Sequence, residues 1–190
     1  MPFGVPTPWT GSDGPAIPFP EIGLCAMKVE RTNRVCFTVH GEPAPGGSKS
    51  AFLHRSTGRI VVTDAGGKRT KEWRSSVAAA ARIAMGPREV LTPPIGITVV
   101  FRMQRPKSHL TPRGALRRGS PVLPVCRPDA TKLLRSTEDA LTGIVWGDDA
   151  HIAEQWIYRI YARPDESPGA TITAYHIAVS QADGLAWEEQ

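Results

Sequence analysis

The chain has 190 residues, 41% of them hydrophobic and 22% charged, which suits a soluble globular protein of one domain with a real core. Its formal net charge of +5 points to an anionic partner. Cys25, Cys36 and Cys126 are widely spaced and form no C-x-x-C pair, and the five histidines are scattered, which argues against a disulfide framework and a zinc site. No apolar run reaches the length of a membrane span, and the first residues lack the layout of a signal peptide, so the expectation is a cytoplasmic protein with no membrane partner.

Residues 1–32 are rich in Pro and Gly without periodicity and are expected to form a flexible tail. A single folded domain is expected over 33–182, with a short C-terminal tail at 183–190. Residues 34–40 alternate and predict the first strand, followed by the loop Gly41-Glu42-Pro43-Ala44-Pro45-Gly46-Gly47-Ser48-Lys49. Residues 59–63 predict a short β-branched strand. Between 70 and 85 the pattern turns helical, with Trp73, Val77, Ala80, Ala81 and Ala84 on one face and Gly86-Pro87 as the stop.

A strand is predicted over Ile95–Met103, then a long loop at 104–128 that is either functional or disordered. A second helix is predicted from Asp129 to Thr142, with Gly143 as its cap. Leu133, Leu134, Thr137, Ala140 and Leu141 share one face of it, and Thr131, Arg135, Glu138, Asp139 and Thr142 the other. Two strands, near 153–162 and 170–179, complete an α+β fold with one mixed sheet and two main helices.

Charge is segregated along the chain. Residues 105–135 carry eight Lys or Arg against one acid, and residues 136–190 carry two bases against ten acids. Acids have no use in gripping phosphate, but they are what a site needs to hold Mg²⁺ beside it. Asp129 and Asp148-Asp149 flank the second helix, which at 1.5 Å per residue is roughly 18 Å long. Only the tertiary fold can bring such acids together. On local grounds alone, Asp129 reads as a helix N-cap and Asp148-Asp149 as a turn.

The segment Arg127-Pro128-Asp129, Leu133, Asp139-Ala140-Leu141, Gly143 and Asp148-Asp149 resembles the signature of the RusA family of Holliday junction resolvases. That pattern reads K/R-P-D-x-D-N-L-x-K-x-x-x-D-A-L-x-G and then D-D. The Gly41–Gly46 loop also resembles the family's N-terminal region. The resemblance implies a homodimeric, Mg²⁺-dependent endonuclease (Mn²⁺ a substitute) that cuts four-way DNA junctions in recombination and repair, often in a prophage setting.

By that resemblance Asp129 and Asp149 are the metal-binding aspartates, with Asp148 second choice because adjacent strand residues point to opposite faces. Two positions depart from the pattern. Thr131 stands where the family has its second aspartate, which leaves Asp139 or Glu138 to fill in; Glu138 reads otherwise as an ion-pair partner of Arg135. Arg135 stands where the family has its catalytic lysine; it can stabilise a charged phosphate but is too basic to release a proton.

DNA contacts are expected from Lys107, Arg113, Arg117, Arg118, Arg127 and Lys132, and from Lys68, Arg69 and Lys71 at the start of the first helix. Trp146, Trp156, Tyr158 and Tyr161 read as core or interface residues. The alternatives are a junction-binding protein without catalysis, and a basic phage structural or assembly protein.

Overall fold

The computed structural model describes residues 27–46, 49–64 and 67–181. Of the tail expected at 1–32, residues 1–26 lie outside the described residues and 27–32 belong to a strand instead; the C-terminal tail expected at 183–190 also lies outside them. The chain divides into two compact units. One is Glu30–Ala178; the other comprises Met1–Val29 and Val179–Gln190, of which only 27–29 and 179–181 are described.

The elements in order are β1 (Met27–His40), β2 (Lys49–Leu53), β3 (Ile60–Asp64), α1 (Gly67–Met85), β4 (Ile95–Met103), α2 (Ala130–Leu141), β5 (Ile152–Tyr161) and β6 (Gly169–Gln181). Four strands form one mixed sheet in the order β1-β6-β4-β5, with β4 antiparallel to β6 and parallel to β5. A parallel pair needs a crossover connection, and the chain between β4 and β5 supplies it by way of α2. The α+β class with two helices on a mixed sheet is therefore the observed architecture.

β4 is interior, and Ile95, Ile97, Val99 and Phe101 are fully buried. Against them pack Trp73, Val77 and Ala81 of α1 and Leu133 and Leu141 of α2, at the spacings their 3.6-residue periods require. The Trp73 and Phe101 rings meet at 6.4 Å. Trp73 Nε1 donates to Thr137 Oγ1 at 3.2 Å, and that hydroxyl donates to the Leu133 carbonyl at 3.0 Å. This buried bridge ties α1 to α2 and fixes the rotation of α2, which decides where its polar face points. Gly96 is forced by packing, since a Cβ there would stand 2.1 Å from the Tyr175 ring.

Three features differ from the sequence expectation. β1 begins at Met27 instead of residue 34, because Asn33 adopts φ 46°, a left-handed conformation Asn tolerates, and the strand continues through it. β3 pairs antiparallel with β2, which periodicity did not predict, and the two form a separate small sheet. The long connection after β4 is not structureless. It contains a 3-10 turn at Lys107–His109 and a Leu110–Leu116 bridge, and Ser120 Oγ donates to the His109 carbonyl at 3.1 Å.

Candidate active site

On α2, Thr131, Arg135, Glu138 and Thr142 follow at spacings of four, three and four residues and so share one face. The opposite face, with Leu133, Leu134, Thr137, Ala140 and Leu141, is buried in the core as the sequence predicted. Within the polar face, Glu138 departs from expectation: it is only 9% exposed. Its Oε1 accepts a 2.7 Å hydrogen bond from Gln155 Nε2 on β5, and it forms no ion pair with Arg135. Burial and the nearby charge of Asp149, with a lesser effect of Asp139, push its carboxyl up from 4.5 to about 7, against the opposing effect of the Gln155 bond.

Asp149 is reached from the far end of α2. The helix ends at Thr142, Gly143 takes φ 78°, and the chain turns back through Trp146. Thr142 Oγ1 donates to Asp149 Oδ1, and Trp146 Nε1 donates to the same oxygen at 3.0 Å. Asp148 and Asp149 lie before β5, in a 3-10 turn at Asp149–His151, so strand alternation does not separate them. Asp148 is the N-cap of that turn and accepts from the Ala150 N–H at 2.8 Å.

The other candidate acids are engaged elsewhere. Asp139 Oδ2 lies 2.5 Å from the Arg74 guanidinium of α1. Asp129 holds the N-cap position of α2 with extended backbone, yet its side chain makes no capping bond; its Oδ2 is 3.4 Å from Lys132 Nζ. Asp129 and the Thr142-bound Asp149 thus stand at opposite ends of α2, roughly 18 Å apart along the helix. They are not side by side. Among the described residues, no three His, Cys, Asp or Glu side chains gather as a metal-ligand cluster.

Arg135 is exposed and makes no hydrogen bond or ion pair among the described residues. The two acids one helical turn ahead of it are held by Gln155 and Arg74, which leaves its guanidinium free. Thr131 is exposed one turn before it.

The basic residues separate into free and engaged groups. Lys71, Lys107, Arg113, Arg118 and Arg127 are exposed and have no partner among the described residues. Lys68 pairs with Glu72 at 3.6 Å and Arg69 with Glu42 at 2.6 Å. Lys132 faces Asp129, and Arg117 Nε donates to the Leu110 carbonyl at 2.7 Å. Of the aromatic residues, Trp146 and Tyr161 are buried and Tyr158 is half exposed.

Two arginines that the sequence did not single out position this region. Arg105 is buried and donates to the carbonyls of Ala162 and Pro121, both at 2.9 Å. Arg159 on β5 donates to the carbonyls of Pro124 at 3.1 Å, Cys126 at 2.9 Å and Pro128. Their partners are 16 to 57 residues away in sequence, so no local pattern marks them.

Comparison with known proteins bears on this arrangement. The chain is 25% identical over 129 residues to the uncharacterized protein YqaN of Bacillus subtilis (strain 168), covering 66% of this chain and 87% of that protein. The family model for endodeoxyribonuclease RusA matches residues 42–174, well over half of the chain, and spans the Gly41–Gly46 loop almost entirely, both helices and the Asp148-Asp149 turn. With motif spacing, mixed sheet and family match in agreement, the chain belongs to the RusA family of endodeoxyribonucleases.

Proposed function

We propose that this protein is a Mg²⁺-dependent endodeoxyribonuclease that cuts four-way (Holliday) DNA junctions. On this reading it works as a cytoplasmic homodimer in recombination and repair, in a prophage setting. The observation that carries the reading is the guanidinium of Arg135, without a partner among the described residues and set on the same face of α2 as Glu138 and the Asp149-bound Thr142, within a nuclease family.

The donor chemistry suits a hard divalent cation, since carboxylates offer only oxygen. We assign the cation to Asp149. Asp129, the other aspartate of the family pattern, stands at the far end of α2, and Asp139 is paired with Arg74; Asp148, whose Oδ1 accepts from the Ala150 N–H, stays the second choice. A bound Mg²⁺ supplies charge compensation at the scissile phosphate and lowers the pKa of water.

The chain's own residues do the rest. Arg135 donates to non-bridging phosphate oxygens and stabilises the extra charge of the transition state. A guanidinium keeps its proton, so the leaving oxygen is protonated by water. Asp129, Lys132 and Arg127 line the N-terminal end of α2, where flanking phosphate is favoured by the basic side chains. Lys107, Arg113, Arg117 and Arg118 grip one duplex arm, and Lys68, Arg69 and Lys71 at the start of α1 another.

The test is cleavage of a synthetic four-way junction with and without Mg²⁺, beside a linear duplex of the same sequence and the Asp149→Asn variant. Junction-selective, metal-dependent cutting that is lost in Asp149→Asn with junction binding retained is the expected result. Cutting of the linear duplex at the same rate would overturn the junction assignment. Tight junction binding with no cutting in Mg²⁺ or Mn²⁺ would favour a second reading, a binder without catalysis. That reading is motivated by the exposed hydroxyl of Thr131 where the family has a carboxylate.

A further inference from the structure

We infer that Glu138, together with Asp149, forms the carboxylate pair that holds the divalent cation, taking the place of the aspartate missing at Thr131. The inference rests on the nuclease reading and names the ligand that this chain uses in it.

Thr131 and Glu138 are seven residues apart, close to two full turns, so they lie on the same face of α2. A carboxylate moved from 131 to 138 keeps its side of the helix and shifts roughly 10 Å along it, toward Asp149. Two of the alternatives are excluded by their partners. Asp139 is neutralised by Arg74 at 2.5 Å, and Asp129 sits beside Lys132 at the other end of α2.

Glu138 has no such cation. Its side chain is nine-tenths buried, Gln155 occupies Oε1, and Oε2 has no partner among the described residues. Thr142, one helical turn after Glu138, donates to Asp149 Oδ1, so Asp149 stands at the same end of α2 as Glu138. A buried carboxylate beside another and without a positive partner is costly to keep, and a divalent cation between the two removes the cost.

Asp149 is prepared in the same way: Thr142 and Trp146 hold Oδ1, and Oδ2 has no partner among the described residues. Each acid is thus oriented by neutral donors on one oxygen and free on the other, the arrangement that outer groups impose on metal-binding carboxylates. Two carboxylates, with water and phosphate completing the shell, is a Mg²⁺-type ligand set.

The experiment is a Mn²⁺ titration of the full chain without DNA, with free Mn²⁺ read by electron paramagnetic resonance. It compares wild type with Glu138→Gln, Asp149→Asn, Asp139→Asn and Asp129→Asn, each checked for folding by thermal melting. Glu138→Gln and Asp149→Asn are expected to weaken Mn²⁺ binding at least about 10-fold, and the other two less than about 3-fold. Wild-type Mn²⁺ affinity in folded Glu138→Gln would overturn the assignment, as would a loss in Asp129→Asn equal to that in Asp149→Asn. Should Glu138→Gln fail to fold, Glu138→Asp replaces it; the shorter carboxylate is expected to bind Mn²⁺ more weakly, and unchanged affinity would overturn the assignment. Junction cleavage is scored separately. Cutting with unchanged Mn²⁺ binding in Glu138→Gln sinks this inference alone, and Mn²⁺ binding that needs Glu138 without any DNA cutting sinks the nuclease reading alone.

Discussion

Arg159 donates from its guanidinium to the backbone carbonyl of Pro128, the residue immediately before Asp129. The same side chain binds the carbonyls of Cys126 and Pro124, so one residue of β5 anchors the approach to α2. A planar fork can serve several acceptors at once, which a single ammonium cannot. We predict that Arg159→Met costs roughly 2–3 kcal/mol of stability, because charge-assisted bonds are lost and carbonyls are left unpaired. Arg159→Lys is expected to recover less than half of that. Urea denaturation of the three proteins measures it, and full recovery by lysine would refute the fork argument.

Arg135 leads to a kinetic prediction. Its charge is unpaired among the described residues, so removing it should leave the fold and junction affinity nearly unchanged while lowering the cleavage rate. Loss of one well-placed donor to a charged transition state costs roughly 100- to 1000-fold, and Arg135→Gln is expected in that range. Arg135→Lys keeps a point charge and should retain part of the rate. Single-turnover cleavage at saturating enzyme separates this from binding; a variant that loses affinity and keeps its rate would make Arg135 a phosphate grip only.

Much of this region was legible in the sequence because α2 is amphipathic. The period of Leu133, Leu134, Thr137, Ala140 and Leu141 fixed the helix and its buried face, and the spacing from Asp129 through Asp139-Ala140-Leu141 to Asp148-Asp149 indicated the family. What could not be read is whatever depends on contacts across the fold. Glu138 falls on the polar face by periodicity, yet Gln155, seventeen residues on, covers it from β5. The Arg74–Asp139 pair joins two helices 65 residues apart and decides which acid is free. The β2–β3 pairing was hidden because it borders a Gly-rich loop with no alternating pattern of its own.

The basic connection after β4 gives a salt-dependence prediction. Arg113 and Arg118 are exposed and without partners among the described residues, whereas Arg105 is buried against two carbonyls. If the first two contact phosphate, each change to Ala should lower the slope of log affinity against log salt by about 1 without altering the melting temperature. Arg105→Ala should do the reverse: it destabilises the fold and leaves the slope unchanged in the protein that remains folded. Junction-binding titrations between low and moderate salt, paired with thermal melts, distinguish the two classes. A normal slope in both surface variants would remove this segment from the DNA interface.

Glu138 makes the stability of the metal-free protein depend on pH in a direction opposite to that of a salt-bridged acid. Burial first, and the charge of Asp149 next, raise its carboxyl from 4.5 to about 7 in the folded state. Below about pH 4.5 the group is protonated folded or unfolded, and its effect is absent. Between there and about 7 the folded chain holds a proton that the unfolded chain has released, so stability falls as pH rises and levels off above that range. After allowing for water's reach to the carboxylate, the loss is about 1–2 kcal/mol. Glu138→Gln removes the titration, so in EDTA the variant should match wild type near pH 4.5 and exceed it by that amount at pH 8. Urea melts of both proteins across the range measure the difference directly, and other carboxylates cancel between them. A variant less stable than wild type by the same amount at every pH would mean that Glu138 is a structural hydrogen-bond acceptor for Gln155 and carries no buried charge.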